Sequence, residues 1–228
     1  MGEGESVSRR SLDLSVYVVT DRELARGRSL EAVVAAAIAG GATAIQLREK
    51  KATTRDFVEL AQALRGMTQE AGVSLIVNDR IDVALAVDAD GVHVGQDDMP
   101  ARLARQLIGP ERILGVTAGT EEEARRAQRD GADYLGCTAV FPTSTKPDHR
   151  EPLGLDGLER LARAVSIPVV AIGGIHAGNA ADVLARGAAG IAVVSAVMAA
   201  DDPEAATRQL RRIVDQVRAH GEGRGSRP

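Results

Sequence analysis

At 228 residues, 44% of them hydrophobic, the chain can bury one sizeable core, and its net charge of −4 argues against a basic face for nucleic acid. Aromatic residues make up only 2%, which removes the stacking platforms that single-stranded nucleic acid uses and leaves a core of Ala, Val, Leu and Ile. A lone cysteine, Cys137, excludes an internal disulfide; with no apolar leader and no run long enough to span a membrane, a cytoplasmic protein without membrane partners is expected.

Residues 1–13 and 219–228 have the composition of disordered tails, which leaves a single domain over 14–218. Within it one pattern recurs: a helix rich in Ala, Arg and Glu ends at Gly, and a short apolar strand follows. Gly40-Gly41, Gly72, Gly131 and Gly187 all stand at such joints, where glycine supplies the left-handed cap conformation. Strands are predicted over 15–20, 43–48, 74–78, 91–95, 113–117, 134–138, 168–173 and 190–195. Helices are predicted over 29–39, 53–71, 80–87, 100–108, 120–130, 155–165, 176–186 and 204–218. Strict alternation implies a parallel sheet, and eight units over about 205 residues imply an α/β fold of the closed (β/α)8 TIM-barrel type. An open doubly wound sheet is the competitor, but Val19-Thr20-Asp21-Arg22 after the first strand carries no Gly-rich nucleotide fingerprint.

In a barrel, function sits at the C-terminal strand ends. The second strand alternates so that Ile45 and Leu47 face the helices while Gln46 and Arg48 face the barrel axis. An inward guanidinium requires a partner: an anionic ligand, which Arg grips bidentately, or a structural ion pair with Glu49 or an Asp from the third or fourth strand. The third strand ends Asn78-Asp79 and the fourth Gln96-Asp97-Asp98, bringing carboxylates to one rim. Together with an amide they suit Mg²⁺, although Asp79 and Asp98 could instead cap the helices that follow them. His93, mid-strand, is expected to be a satisfied core histidine, and Cys137 buried packing. Thr117 ends the fifth strand as a hydroxyl for a ligand or a cap. The long loop after the sixth strand offers Thr143, Ser144, Thr145 and Lys146 to phosphate oxygens, or is simply a solvated loop. Gly173-Gly174 after the seventh strand and Ser195 after the eighth fall where this fold commonly binds phosphate. Two anion sites on one rim, without a covalent nucleophile and base, favour departure of diphosphate and attack by a second, phosphorylated substrate.

These residues resemble the thiamine-phosphate synthase family from about Tyr17 to Pro203. The likeness rests on Gln46-Leu47-Arg48-Glu49-Lys50, Val77-Asn78-Asp79-Arg80, Gly91-Val92-His93-Val94-Gly95-Gln96-Asp97-Asp98, Pro142-Thr143-Ser144-Thr145-Lys146, Ile172-Gly173-Gly174-Ile175 and Val194-Ser195. Each motif is weak alone; their order and spacing together are specific. The resemblance implies a transferase joining 4-amino-5-hydroxymethyl-2-methylpyrimidine diphosphate to a thiazole phosphate, or its carboxylated form, with release of diphosphate. It implies that Gln46, Leu47, Arg48, Glu49, Lys50, Asn78, Thr117 and Lys146 bind the pyrimidine diphosphate, with Arg48, Lys50 and Lys146 catalytic. It implies Mg²⁺ on Asp79 and Asp98, and thiazole phosphate on Thr143, Ser144, Thr145, Gly174, Val194 and Ser195. The family's route is dissociative, through a pyrimidine methylene cation.

This chain departs from the pattern at Thr117, where the family usually has Ser, at Thr138-Ala139 in place of Gly-Pro, and at Val194 in place of Ile. These touch substrate fit rather than reaction class. A related tautomerase barrel, which lacks an intact metal and diphosphate set, and a thiamine-phosphate sensor are the competing functions. Homo-oligomerisation is left open by the sequence.

Overall fold

The computed structural model describes residues 12–143, 145 and 151–222, with the main chain alone for 221–222. Eight parallel strands close on themselves in chain order: β1 Val16–Val19, β2 Ala44–Leu47, β3 Ser74–Asn78, β4 Gly91–Val94, β5 Ile113–Ala118, β6 Tyr134–Cys137, β7 Val169–Ala171 and β8 Gly190–Val193. Pairing of β1 with β8, Tyr17 opposite Ala192, completes the ring and confirms the expected (β/α)8 barrel. Outside it lie α1 Leu30–Ala39, α2 Thr54–Ala71, α3 Ile81–Ala86, α4 Ala101–Ile108, α5 Glu121–Arg129, α6 Gly154–Ala164, α7 Ala180–Ala185, α8 Ser195–Met198 and α9 Pro203–Glu222.

Local chemistry explains most boundaries. The hydroxyls of Ser29, Thr53 and Thr120 each accept a hydrogen bond from an N–H in the first turn, so α1, α2 and α5 begin one residue after them. Gly72 ends α2 in the left-handed conformation at φ 67°, the cap expected from the sequence. Helix α7 starts at Ala180, later than the expected 176. Asn179 turns its side-chain oxygen back to the His176 N–H and its amide to the Gly174 carbonyl, and so holds 175–179 as a loop. Helix α9 runs to Glu222, into the first four residues of the segment expected as a C-terminal tail. Helix α8 was not anticipated at all.

Strand parity divides the interior into two cores. Ile45, Leu47, Leu75, Val77, Val92 and Leu114 face outward and pack with the helices. Inward, the barrel is filled by Tyr17, Ala44, Ile76, Ile113, Tyr134, Val170 and Ala192 among others. Above this plug the inward positions become polar: Gln46, Asn78, His93 and Thr117. The polar layer forms the floor of the site.

Candidate active site

A cleft opens at the C-terminal ends of the strands, its volume about 1040 Å³ counted out to open solvent. Its walls carry Gln46, Arg48, Asn78 and Thr117 from β2, β3 and β5, and Thr143, Thr145, Gly174, Val194 and Ser195 from the segments after β6, β7 and β8. Ser144 and Lys146 lie outside the described residues.

At the end of β2 the Arg48 main chain is pinned: its N–H donates to Thr20 Oγ1 at 3.0 Å. Its guanidinium makes a loose ion pair with Asp21 at 3.6 Å, a partner from the end of β1 rather than Glu49 or the β3 and β4 acids. Glu49 is committed elsewhere, to Arg22 at 2.7 Å, with its side chain only 5% exposed. Leu47 points among the helices and is fully buried, so it can serve a ligand only through its main chain.

At the rim Lys50 Nζ donates to Asp79 Oδ2 at 2.5 Å, and Asp98 comes within hydrogen-bonding reach of Asp79. Neither carboxylate is a cap. No side chain caps α3 or α4, and Asp98 Oδ2 instead accepts from Gly95 N at 2.8 Å. Asp79 sits at φ 62°, a left-handed conformation costing an L-residue about 1–3 kcal/mol and found where a side chain must be aimed. Burial and the neighbouring Asp98 push the Asp79 carboxyl above the usual carboxylate range; Lys50 pulls it down without cancelling them. Two convergent carboxylates in mutual repulsion, one of them already paired with the Lys50 ammonium, fit a hard divalent cation. They supply only part of a coordination shell: no cluster of three or more acidic, His or Cys side chains exists among the described residues. Substrate oxygens and water would have to complete it.

After β7 the loop is shaped by glycine, with a packing reason beyond the anion approach expected from the sequence. Gly173 and Gly174 have φ of 90° and 66°. A Cβ on Gly173 would fall 2.4 Å from Ala139 Cα, and one on Gly174 2.8 Å from Phe141 Cβ. The glycines let this loop pack against the one after β6, in addition to any approach by a ligand. Gly174→Ala should accordingly destabilise the protein by about 1–3 kcal/mol and lower its melting temperature by several degrees. An unchanged melting curve would show that loop packing does not require this glycine. Beyond β8, α8 is the short extra helix that often completes the phosphate site of this fold. Arg28 fixes it, donating to the carbonyls of Met198 at 2.7 Å and Ala200 at 2.8 Å.

The floor contains what the sequence reading missed. Gln46 Nε2, Tyr17 Oη, Tyr134 Oη, His93 and Thr117 Oγ1 form one continuous chain of hydrogen bonds across the barrel. His93 is satisfied, as expected, yet it also lines the cleft. The available signal was small: Tyr17 and Tyr134 are the only two tyrosines, both mid-strand. Cys137 borders the cleft too, but burial pushes its thiol up to about 12, so it is packing and not a nucleophile.

A closed barrel with a cleft at its C-terminal strand ends, lined by an arginine, hydroxyls and glycines, has the form of an enzyme of the (β/α)8 class. The family model described as thiamine monophosphate synthase matches residues 16–197. The thiamine-phosphate synthase of Chloroflexus aurantiacus is 64% identical over 203 residues, 89% of this chain and 94% of that protein. The one from Moorella thermoacetica is 55% identical over 203 residues, 89% and 97% of the two chains. The solved thiamine phosphate pyrophosphorylase of Pyrococcus furiosus superposes with a TM-score of 0.83 at 48% identity, covering 90% of this chain and 97% of that one. The chain belongs to the thiamine-phosphate synthase family, and it is a transferase of thiamine biosynthesis. No helix among the described residues is long and apolar enough to cross a membrane.

Proposed function

We propose that the enzyme condenses 4-amino-5-hydroxymethyl-2-methylpyrimidine diphosphate with 4-methyl-5-(2-phosphoethyl)thiazole, or its 2-carboxy form, to give thiamine phosphate and diphosphate, with Mg²⁺ required. The observation that supports this reading is one cleft at the strand ends that gathers Arg48, Asn78, hydroxyls and glycines, with the Lys50–Asp79 pair at the end of β3. The pyrimidine diphosphate lies toward Arg48 and Asn78 and the thiazole phosphate toward the segments after β6, β7 and β8. The C–O bond to the pyrimidine methylene breaks, diphosphate leaves with the electron pair, and the thiazole nitrogen captures the methylene cation. Catalysis is positioning and charge stabilisation, which is why no nucleophile is required. Arg48, Lys50 and Lys146 stabilise the departing diphosphate. Asp79 and Asp98 would hold Mg²⁺, which when bound neutralises diphosphate charge. Thr143, Ser144, Thr145, Gly174, Val194 and Ser195 hold the thiazole phosphate beside the methylene carbon, so that capture outruns loss of the cation to water.

Diphosphate release from the two substrates together, with and without Mg²⁺, tests the proposal. Release that needs both the thiazole phosphate and Mg²⁺ is expected. Tight binding of either substrate without release would overturn it in favour of a tautomerase or a sensor.

A further inference from the structure

We infer that Tyr17, Tyr134 and His93 are positioning residues: they form a one-way hydrogen-bond relay that sets Gln46 as an acceptor and Thr117 as a donor toward an aminopyrimidine ring. The inference deepens the proposed pyrimidine half of the site and rests on that reading.

The direction follows from counting protons. Gln46 Nε2 donates to Tyr17 Oη at 2.8 Å. Tyr17 is buried, and with Gln46 Nε2 donating to it, the acceptor within reach of its own proton among the described residues is Tyr134 Oη, 2.8 Å away. Tyr134, having accepted, gives its proton to His93 Nδ1 at 3.0 Å. A neutral imidazole that accepts at Nδ1 carries its proton on Nε2, and Nε2 stands 2.9 Å from Thr117 Oγ1. Thr117 then accepts from the ring and has its own proton to offer to the cleft. At the other end Gln46 Oε1 makes no hydrogen bond and is not enclosed, so it too opens on the cleft. The reverse direction would require the Gln46 amide turned over, with Oε1 instead of Nε2 facing the Tyr17 hydroxyl, so the orientation of that amide sets the direction of the chain. Burial also holds both tyrosines far above their ordinary range, so the chain carries orientation and not charge.

The barrel is built around this chain. Gly115 and Gly136 lie at inward positions of β5 and β6, where a side chain would normally fill space. A Cβ on Gly115 would meet Tyr134 Oη at 2.3 Å and His93 Nδ1 at 2.5 Å; one on Gly136 would meet His93 Cε1 at 3.1 Å. Neither glycine has a positive φ. Mid-strand glycine weakens a strand, and here its return is room for the histidine and tyrosine rings. An amino group finds its acceptor in Gln46 Oε1, and a ring nitrogen its donor in Thr117 Oγ1. An oxo-pyrimidine, with those polarities exchanged, finds neither.

The test uses the full chain with Tyr134→Phe, which keeps the ring and removes only the hydroxyl, and Tyr17→Phe, which breaks the relay one link farther from Thr117. Each variant should raise the KM for the aminopyrimidine diphosphate about ten-fold and leave the thiazole-phosphate KM within about two-fold. The wild type's preference for the amino over the 4-oxo pyrimidine diphosphate, about 100-fold or more, should collapse in both. Thr117→Ser should retain the preference and Thr117→Val lose it. Independently of turnover, ¹⁵N shifts of His93, assigned by difference from His93→Gln, should report the Nε2–H tautomer. An Nδ1–H tautomer, an equal rise in both KM values, or an unchanged amino-over-oxo preference with only a lower melting temperature would overturn the relay. A wild type that turns over neither pyrimidine would instead overturn the proposed function.

Discussion

Asp79→Asn is expected to lower kcat/KM by about 100- to 1000-fold while leaving the metal-free protein as stable as the wild type or more so. Asparagine tolerates the left-handed backbone at φ 62°, so the substitution removes charge without adding strain, which Asp79→Ala would add. The stability sign follows from the raised carboxyl. The folded state holds the Asp79 proton more tightly than the unfolded chain does, chiefly through burial and then Asp98. This contribution to stability is fully present below the unfolded carboxyl value of about 3.9 and is lost as pH rises through the higher folded value. An amide carries no such loss. The ion pair forfeited with Lys50 offsets little, because that ammonium is 53% exposed. Melting temperature followed against pH in metal-free buffer should thus fall less steeply above that value in the variant. Added Mg²⁺ should raise the melting temperature of the wild type and not of the variant. Full Mg²⁺-dependent turnover in Asp79→Asn would remove Asp79 from the metal site.

How far the sequence could be read depended on whether the signal was local. Gly72 and Thr53 announce the ends of α2 within a few residues of themselves, so the alternation of strands and helices, and with it the barrel, was legible. Inward placement of Gln46 and Arg48 needed only the parity of β2 and the knowledge that helices cover its other face. Helix α8, at four residues, is too short to show any period. Two alternatives left open by spacing were decided by backbone geometry: φ at Asp79 and the bond from Gly95 to Asp98 take both carboxylates away from capping. The relay was hidden for another reason. Tyr17 and Tyr134 are 117 positions apart, and only closure of the barrel brings their hydroxyls to 2.8 Å. Nothing local to Gly115 in the sequence marks the ring that occupies the place of its missing Cβ.

Arg48→Met should cut kcat/KM by about 100- to 1000-fold and Arg48→Lys by about ten-fold, both mainly through the pyrimidine diphosphate. The guanidinium has five donors, and its one described side-chain contact is the 3.6 Å approach to Asp21. It is partly enclosed, 22% exposed, at the wall of the cleft. A guanidinium so placed and so lightly bonded is under-satisfied in the free protein and gains most when two phosphate oxygens meet its fork. The comparison with Glu49 is instructive: that neighbour is nearly buried against Arg22 at 2.7 Å and has little left to offer a ligand. Methionine keeps the apolar stem and removes every donor. Lysine keeps the charge but loses the planar fork, so the difference between the two variants separates electrostatics from bidentate geometry. The main chain should not move in either, since Thr20 holds the Arg48 N–H through its hydroxyl. Steady-state kinetics at saturating thiazole phosphate, read beside thermal melting, decide the matter. If Arg48→Met kept its turnover and lost only melting temperature, the guanidinium would be a structural partner of Asp21, and the proposed diphosphate site would rest on Lys50, Lys146 and the carboxylate-held cation.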